Sequence, residues 1–285
     1  MRALINRIRQ IQVPAWKLFL LAGAACGAVF LCLLVYLTFC QPAPAPTPTP
    51  QATAAPVLVT AGQMAQLSYN DSVLGPLSWE LDEAALAELN RVLVEYDITT
   101  PEEICQFLAQ VTVETGAGRA LTEQGDEAYF QRNGYTTGTR GAGYLQLTHA
   151  YGQMAFSTWM MKKYVPQLAS ISFKSPAEYG QEAIAQAYYD ALQLAANLGL
   201  DVSRYSRIVY AADSPVPTGA DYIAQNFAWE SAGYYWQIAG IGQALSQQPG
   251  DANVEVASGL VGGGNLQSRR EAYAAFYPVL SGQSP

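Results

Sequence analysis

The sequence predicts a mainly α-helical protein with one small irregular or β segment, and two observations lead to this fold class. Apolar residues recur at helical spacing in four stretches, at residues 79–96, 100–114, 178–199 and 220–232. The Gly- and Thr-rich residues 134–152 lack this periodicity and are typical of a short hairpin or an irregular loop. Strand patterns do not alternate with helical ones, which argues against an α/β sheet fold.

The N-terminal part of the chain predicts a basic cytoplasmic segment, residues 1–17, followed by one transmembrane helix, residues 18–40. The apolar run is long enough to cross a bilayer core. Basic residues precede it and none follows closely, which favours a cytoplasmic N-terminus and an extracellular remainder. Cleavage, or lipidation at Cys40, is the alternative, although the run exceeds that of a typical signal peptide and the bulky Phe39 precedes Cys40.

Residues 41–57 predict a Pro-rich linker that favours extended polyproline II, and residues 58–285 predict one globular domain. The chain has 15 basic and 23 acidic residues, and Arg2, Arg7, Arg9 and Lys17 all precede the apolar run. The domain is therefore strongly acidic. This composition excludes nucleic acid as a partner, because phosphate contacts need clustered Lys and Arg.

Cysteine and histidine usage excludes several kinds of site. Three of the four cysteines lie at or before Cys40, so Cys105 has no partner for a disulfide within the domain. His149 is the single histidine, and no G-x-S-x-G motif accompanies it. No zinc-ligand spacing occurs, so we expect no metal and no cofactor.

The stretch "FLAQVTVETGAG", residues 107–118, places a carboxylate where a helix ends. Glu114 lies at the flank of an apolar stripe and in the last helical turn, and no Lys or Arg before Arg119 neutralises it. Both features disfavour the ionised form of a carboxyl group. Gly116 and Gly118 then turn the chain towards Glu123.

Two carboxyl groups across a cleft can hydrolyse a glycosidic bond, one as an acid and the other as a base or nucleophile. The separation decides between inversion and retention, and the sequence leaves both open. A solvated surface role for Glu114 is the alternative, since glutamates near helix ends are commonly exposed.

Five segments in order resemble glycoside hydrolase family 19, the chitinases and related lysozyme-like endolysins. The resemblance spans about residues 80–280, and its segments are "FLAQVTVETGAG", "TEQGDEAYF" (122–130), "TRGAGYLQLTHAYG" (139–152), "FAWESAGYYW" (227–236) and "SGLVGGGNLQSRREAYAAFYPVL" (258–280). It implies a two-lobed, lysozyme-like helical catalytic domain. The implied reaction is hydrolysis of β-1,4 bonds next to N-acetylglucosamine, with inversion and without a cofactor.

The resemblance also implies roles for individual residues. Glu114 matches the general acid, Glu123 the general base, and Thr148 a hydroxyl that helps to hold the attacking water. Substrate-binding or supporting roles are implied for Gln146, Tyr144, Tyr151, His149, Arg140, Arg269 and Trp229, and Arg269 matches an arginine that packs near the two acids. The chain departs from the family pattern at Val113, Ala142, Gly152 and Ser258, which places substrate choice and rate in doubt more than the reaction class.

The function that we expect is therefore that of a membrane-anchored, extracellular glycoside hydrolase. Peptidoglycan is the favoured polysaccharide, because the anchor holds the domain near the cell's own wall, and chitin is the alternative. A catalytically lapsed module that binds cell-wall glycan is the second hypothesis. A structural surface protein with accidental motif matches is the third.

Overall fold

The structure, a computed structural model, describes residues 57–246 and 248–282, which belong to one compact unit. Residues 1–17, the predicted transmembrane segment 18–40 and most of the predicted linker lie outside the described residues. Within the described part, no helix is both long enough and apolar enough to cross a bilayer.

The described chain is mainly helical and contains one small two-stranded sheet, which confirms the predicted fold class at this level. The strands are β1 (Ser68–Asp71) and β2 (Gly75–Ser78), which pair antiparallel with Ser68 opposite Ser78. The helices are α1 (Ala61–Met64), α2 (Glu83–Glu95), α3 (Pro101–Thr115), α4 (Glu127–Arg132), α5 (Ala150–Tyr164), α6 (Gln181–Asn197), α7 (Ser203–Ser206), α8 (Ala220–Asn226), α9 (Ala228–Ile238), α10 (Ile241–Ala244), α11 (Asp251–Val261) and α12 (Leu266–Ser281).

Local signals explain where several helices begin. Asp82 caps α2 by accepting a hydrogen bond from the Ala85 amide, and Thr100 caps α3 by accepting one from the Glu103 amide. The predicted helix at 100–114 is confirmed almost to the residue. The predicted helix at 220–232 is two helices, α8 and α9, because Phe227 leaves the helical conformation with φ −143°.

The segment at 134–152 forms no strand of the sheet. It contains a 3₁₀ turn, Thr137–Thr139, and then two isolated bridges in which Ala142 pairs with Thr122 and with Leu147. This irregular segment ends at the start of α5. The bridge to Thr122 holds the segment against the chain that follows α3, and the bridge to Leu147 lies within the segment.

Helix α3 is the centre of the main hydrophobic cluster and is buried on nearly all sides. Helix α12 packs along it. An aromatic group formed by Trp79, Tyr144 and Trp229 lies beside α3, with the rings of Tyr144 and Trp229 stacked at 3.6 Å. A second, smaller cluster joins α5 and α6 through Met161, Leu168, Ile171, Tyr188, Ala191 and Ala195.

Candidate active site

The end of α3 aims Glu114 at a groove because the chain reverses direction immediately after it. Gly116, Ala117 and Gly118 all adopt the left-handed conformation, with φ of 60°, 60° and 82°. A Cβ at Gly118 would lie 3.3 Å from the Trp79 ring, so the turn needs glycine there for space as well as for φ. The reversal brings residues 119–123 back beside the end of α3.

Glu114 is paired with a cation that lies far away in the sequence. Arg269 of α12 donates a hydrogen bond to its carboxylate, and the side chains of Arg269 and Glu114 are 2% and 22% exposed. Arg269 also donates to Gln110 Oε1 at 2.5 Å and to the Gly264 carbonyl at 2.7 Å. The cation that pairs with Glu114 therefore comes from 155 residues downstream rather than from the preceding sequence.

Glu123 is held by three hydrogen-bond donors. Its Oε1 accepts from the Tyr135 hydroxyl at 2.7 Å and from the Tyr129 hydroxyl at 3.0 Å, and its Oε2 accepts from the Gly141 amide at 3.1 Å. Burial, and then the bond to Glu123, raises the pKa of Tyr135 above its ordinary value, so this hydroxyl remains a donor. These three donors fix the orientation of the Glu123 carboxylate.

The irregular segment carries the remaining groove residues in strained backbone positions. Gln146 and His149 have φ of 51° and 68°, which side chains other than glycine rarely adopt. Between them, Thr148 donates its hydroxyl hydrogen to the Gln146 carbonyl at 2.7 Å. A Cβ at Gly141 would crowd Glu123 and Gln146, so glycine lets these two side chains approach each other. Strain of this kind is typical of functional segments.

Glu114 and Glu123 face one groove, made of two adjoining cavities. The first has a volume of about 470 Å³ and is lined by both carboxylates together with Thr122, Gln124 and Tyr135. The second, of about 390 Å³, continues past Glu114 to Tyr151 and Tyr235. The two cavities share Glu114, Gln146, Thr148 and His149.

Six of the ten residues that the sequence singled out line this groove: Glu114, Glu123, Gln146, Thr148, His149 and Tyr151. Tyr144 and Trp229 do not, since they are 6% and 3% exposed and stack on each other in the core. Burial raises the pKa of Tyr144 to about 12. Of the two roles that the resemblance implies for these rings, their burial favours the supporting role over contact with substrate.

The two arginines also lie outside the linings of both cavities. Arg140 pairs with Asp221 of α8 at 2.6 Å, which joins the irregular segment to that helix. Arg269 is buried behind Glu114. The expected substrate contact of Arg140 is therefore corrected to a contact within the protein, whereas Arg269 packs against one of the two acids, as the resemblance implies.

Sequence reasoning missed Tyr135 and Tyr235, which line opposite parts of the groove. Tyr235 lies next to Trp236 in the sequence, and Trp236 has the larger ring but is buried. Burial, and then the nearby Glu114, raises the pKa of Tyr235. No local pattern marks Tyr135, because its bond to Glu123 depends on how the loop folds back.

Within residues 57–246 and 248–282, no group of three or more His, Cys, Asp or Glu side chains is placed to hold a metal ion. No protein-family model, no curated protein and no solved structure matches this chain. The geometry of the groove is therefore the main structural indication of function.

Proposed function

We propose that this chain is a membrane-anchored glycoside hydrolase that cleaves β-1,4 bonds of polymers containing N-acetylglucosamine. The observation that carries the proposal is the placement of Glu114 and Glu123 on one groove with different partners. An open groove formed by two adjoining cavities suits a polymer. Two carboxyl groups that differ in environment suit the division of labour in glycoside hydrolysis.

In the proposed reaction, the protonated carboxyl of Glu114 gives its proton to the glycosidic oxygen as the bond to the anomeric carbon breaks. Glu123, ionised, removes a proton from the water that attacks the anomeric carbon from the opposite face. Thr148 lies on the same groove wall and is suited to hold that water. This course inverts the configuration at the anomeric carbon.

The proposal extends to the fold and to the location of the protein. The separate hydrophobic cluster that joins α5 and α6 is consistent with a second lobe beside the main one, as in lysozyme-like domains. The basic segment and the apolar residues 18–40 support an anchored domain outside the cell. Peptidoglycan is the proposed substrate, with chitin as the alternative.

One observation favours a second candidate, a catalytically lapsed module that binds wall glycan. The buried Arg269 donates a hydrogen bond to Glu114 Oε1, so one oxygen atom of the proposed acid is already engaged within the protein. Two positions that depart from the family pattern are also close by. Gly152 lines the groove, and Val113 directly precedes Glu114 in the chain. Such a module would keep the groove and lose turnover.

Replacement of each carboxylate tests the proposal. Digests of purified peptidoglycan and of chitin oligomers are followed by reducing-end release and mass spectrometry. We expect Glu114→Gln and Glu123→Gln each to lower turnover by about 10²–10⁴-fold in protein that is still folded. Glu114→Gln should also lower the melting temperature, because it leaves the buried Arg269 without its charged partner. Glu182→Gln, at an exposed position in the first turn of α6, is the matched control and should keep full activity.

The outcomes of these digests distinguish the two candidate functions. Full activity of Glu114→Gln would rule out the proposed acid. Wild-type protein that binds the glycans without cleavage at any pH would support the lapsed module. The anomeric configuration of the first product, read by NMR, distinguishes inversion from retention.

A further inference from the structure

Gly152 occupies a helical position whose backbone conformation does not require glycine. It lies in the first turn of α5, and its φ is not in the left-handed range. A Cβ there would meet Leu147 Cδ1 at 3.5 Å, an ordinary van der Waals contact. Glycine inside a helix costs roughly 0.5–1 kcal/mol relative to alanine.

The other glycines of the same segment have evident structural reasons. Gly143 has φ 76°, and a Cβ there would overlap the Ser231 hydroxyl. A Cβ at Gly141 would lie 2.6 Å from Gln146 Oε1. Gly152 therefore differs from its neighbours, because the space that it leaves is not filled by the protein.

That space belongs to the groove. Gly152 lines the second cavity, whose walls beyond Glu114 are mostly apolar and include Leu147, Ile238, Ala239 and Val261. The polar side chains Gln146 and Thr148 stand at the end of this cavity that is shared with the carboxylate pair. No Lys or Arg is among the residues that line either cavity.

A recess with apolar walls and polar groups at its mouth matches a substituent with the same arrangement. An N-acyl group on an amino sugar has a polar amide next to the ring and an apolar end. We propose that Gly152 determines specificity by leaving open a recess for the N-acyl group of an amino sugar, next to the carboxylate pair. This inference rests on the proposed function, since it assumes a glycan in the groove.

Binding measurements test this role separately from catalysis. Isothermal titration calorimetry of the full chain carrying Glu114→Gln compares an N-acetylated glucosamine hexamer with its de-N-acetylated counterpart, at about 0.15 M salt to screen charge. We expect Gly152→Leu to weaken binding of the N-acetylated hexamer by about tenfold or more and to leave the other hexamer unchanged. Gly152→Ala should weaken binding less and raise the melting temperature.

Gly259 provides the matched control. It is exposed in α11, and no atom lies within 4 Å of the position that a Cβ would take. Gly259→Ala should raise the melting temperature in the same way without any change in affinity. A gain in stability with a loss of affinity at Gly152 alone is a result that a purely structural role would not produce.

Two results would overturn the inference, and only the second would also overturn the proposed function. In the first, Gly152→Leu and Gly152→Ala bind both hexamers as the parent does, or their affinity for both hexamers falls equally. Gly152 then does not determine recognition of the acyl group, and the proposed function is unaffected. If the parent binds neither hexamer and the wild-type chain cleaves no glycan, the proposed function fails as well.

Discussion

Arg269 and Glu114 form an ion pair that joins the last described helix to the central helix. The guanidinium is almost fully buried and also bonds to Gln110 of α3 and to the carbonyl of Gly264, ahead of α12. One arginine therefore sets the position of the proposed acid and fastens α12 to α3. Stability and the geometry of the groove are coupled through this residue.

Arg269→Ala should lower the free energy of unfolding by about 3 kcal/mol, because it leaves Glu114 and Gln110 without their partner in a largely buried place. Urea denaturation measures this loss. Arg270→Ala is the control, since Arg270 makes only surface pairs with Asp251 and Glu255 and should cost below about 1 kcal/mol. In a Glu114→Gln background the Arg269 effect should shrink, and equal losses in both backgrounds would contradict the coupling.

Gly143→Ala should destabilise the irregular segment and abolish activity. The substitution adds left-handed strain and also places a methyl group on the Ser231 hydroxyl, 3.1 Å from the Ala228 carbonyl oxygen. Gly134→Ala separates the two effects, because Gly134 has φ 83° and no atom near its Cβ position. Thermal unfolding should show a loss of about 1–2 kcal/mol for Gly134→Ala and a clearly larger loss for Gly143→Ala. Equal losses would show that the overlap does not matter.

Glu230→Leu should unfold the protein more easily without altering glycan affinity. Glu230 is 1% exposed and pairs with Arg91 and Lys163, while Tyr96 donates to it at 2.5 Å. Burial alone would raise the pKa of Glu230, but the bonds from Tyr96 and Arg91 outweigh it and the pKa is lowered. Removal leaves the Tyr96 hydroxyl without its acceptor and takes one partner from Arg91 and Lys163, which both keep Glu95, at a cost of about 1–3 kcal/mol.

Glu230 lines a cavity with Arg91 and Tyr164, distinct from the groove of the carboxylate pair. Calorimetric affinity of the folded fraction should therefore match wild type. Glu88→Gln, which removes an exposed partner of Arg91, is the control and should cost below about 1 kcal/mol. A specific loss of affinity in Glu230→Leu would link this cavity to the groove.

Asp71 should give the fold an acid-dependent stability. It is buried in the β1–β2 hairpin and accepts hydrogen bonds from the Val73 and Leu74 amides and from the Tyr69 hydroxyl. Burial alone would raise its pKa, but these bonds lower it from 3.8 to about 2. Because the folded pKa lies below the unfolded one, the ionised form stabilises the fold above about pH 4, and this contribution disappears as the pH falls towards 2.

The comparison of wild type with Asp71→Asn isolates this contribution from other carboxylates. Near pH 6 the wild type should be more stable by about 2 kcal/mol, and the difference should vanish between pH 4 and pH 2. Chemical denaturation at a series of pH values measures it. A difference that is constant with pH would mean that the charge of Asp71 has no part in the hairpin.

Much of the fold follows from signals that lie close together in the sequence. Thr100 and Pro101 start α3, and Gly116 ends it, so the position of Glu114 in the last turn is determined locally. Helix α5 escaped prediction because its residues are buried on most sides, so its sequence carries no amphipathic period. The break between α8 and α9 at Phe227 was likewise not predicted, because no glycine or proline marks it.

By itself, the sequence determined the helical class, the acidic character of the domain and the place of Glu114 at a helix end, since caps, composition and periodicity depend on near neighbours. Only the tertiary structure decided that Arg269 pairs with Glu114, that Tyr135 holds Glu123, and that Trp229 is buried. These contacts join residues far apart in the chain. Their formation depends on how helices pack and loops fold back, which no local pattern encodes.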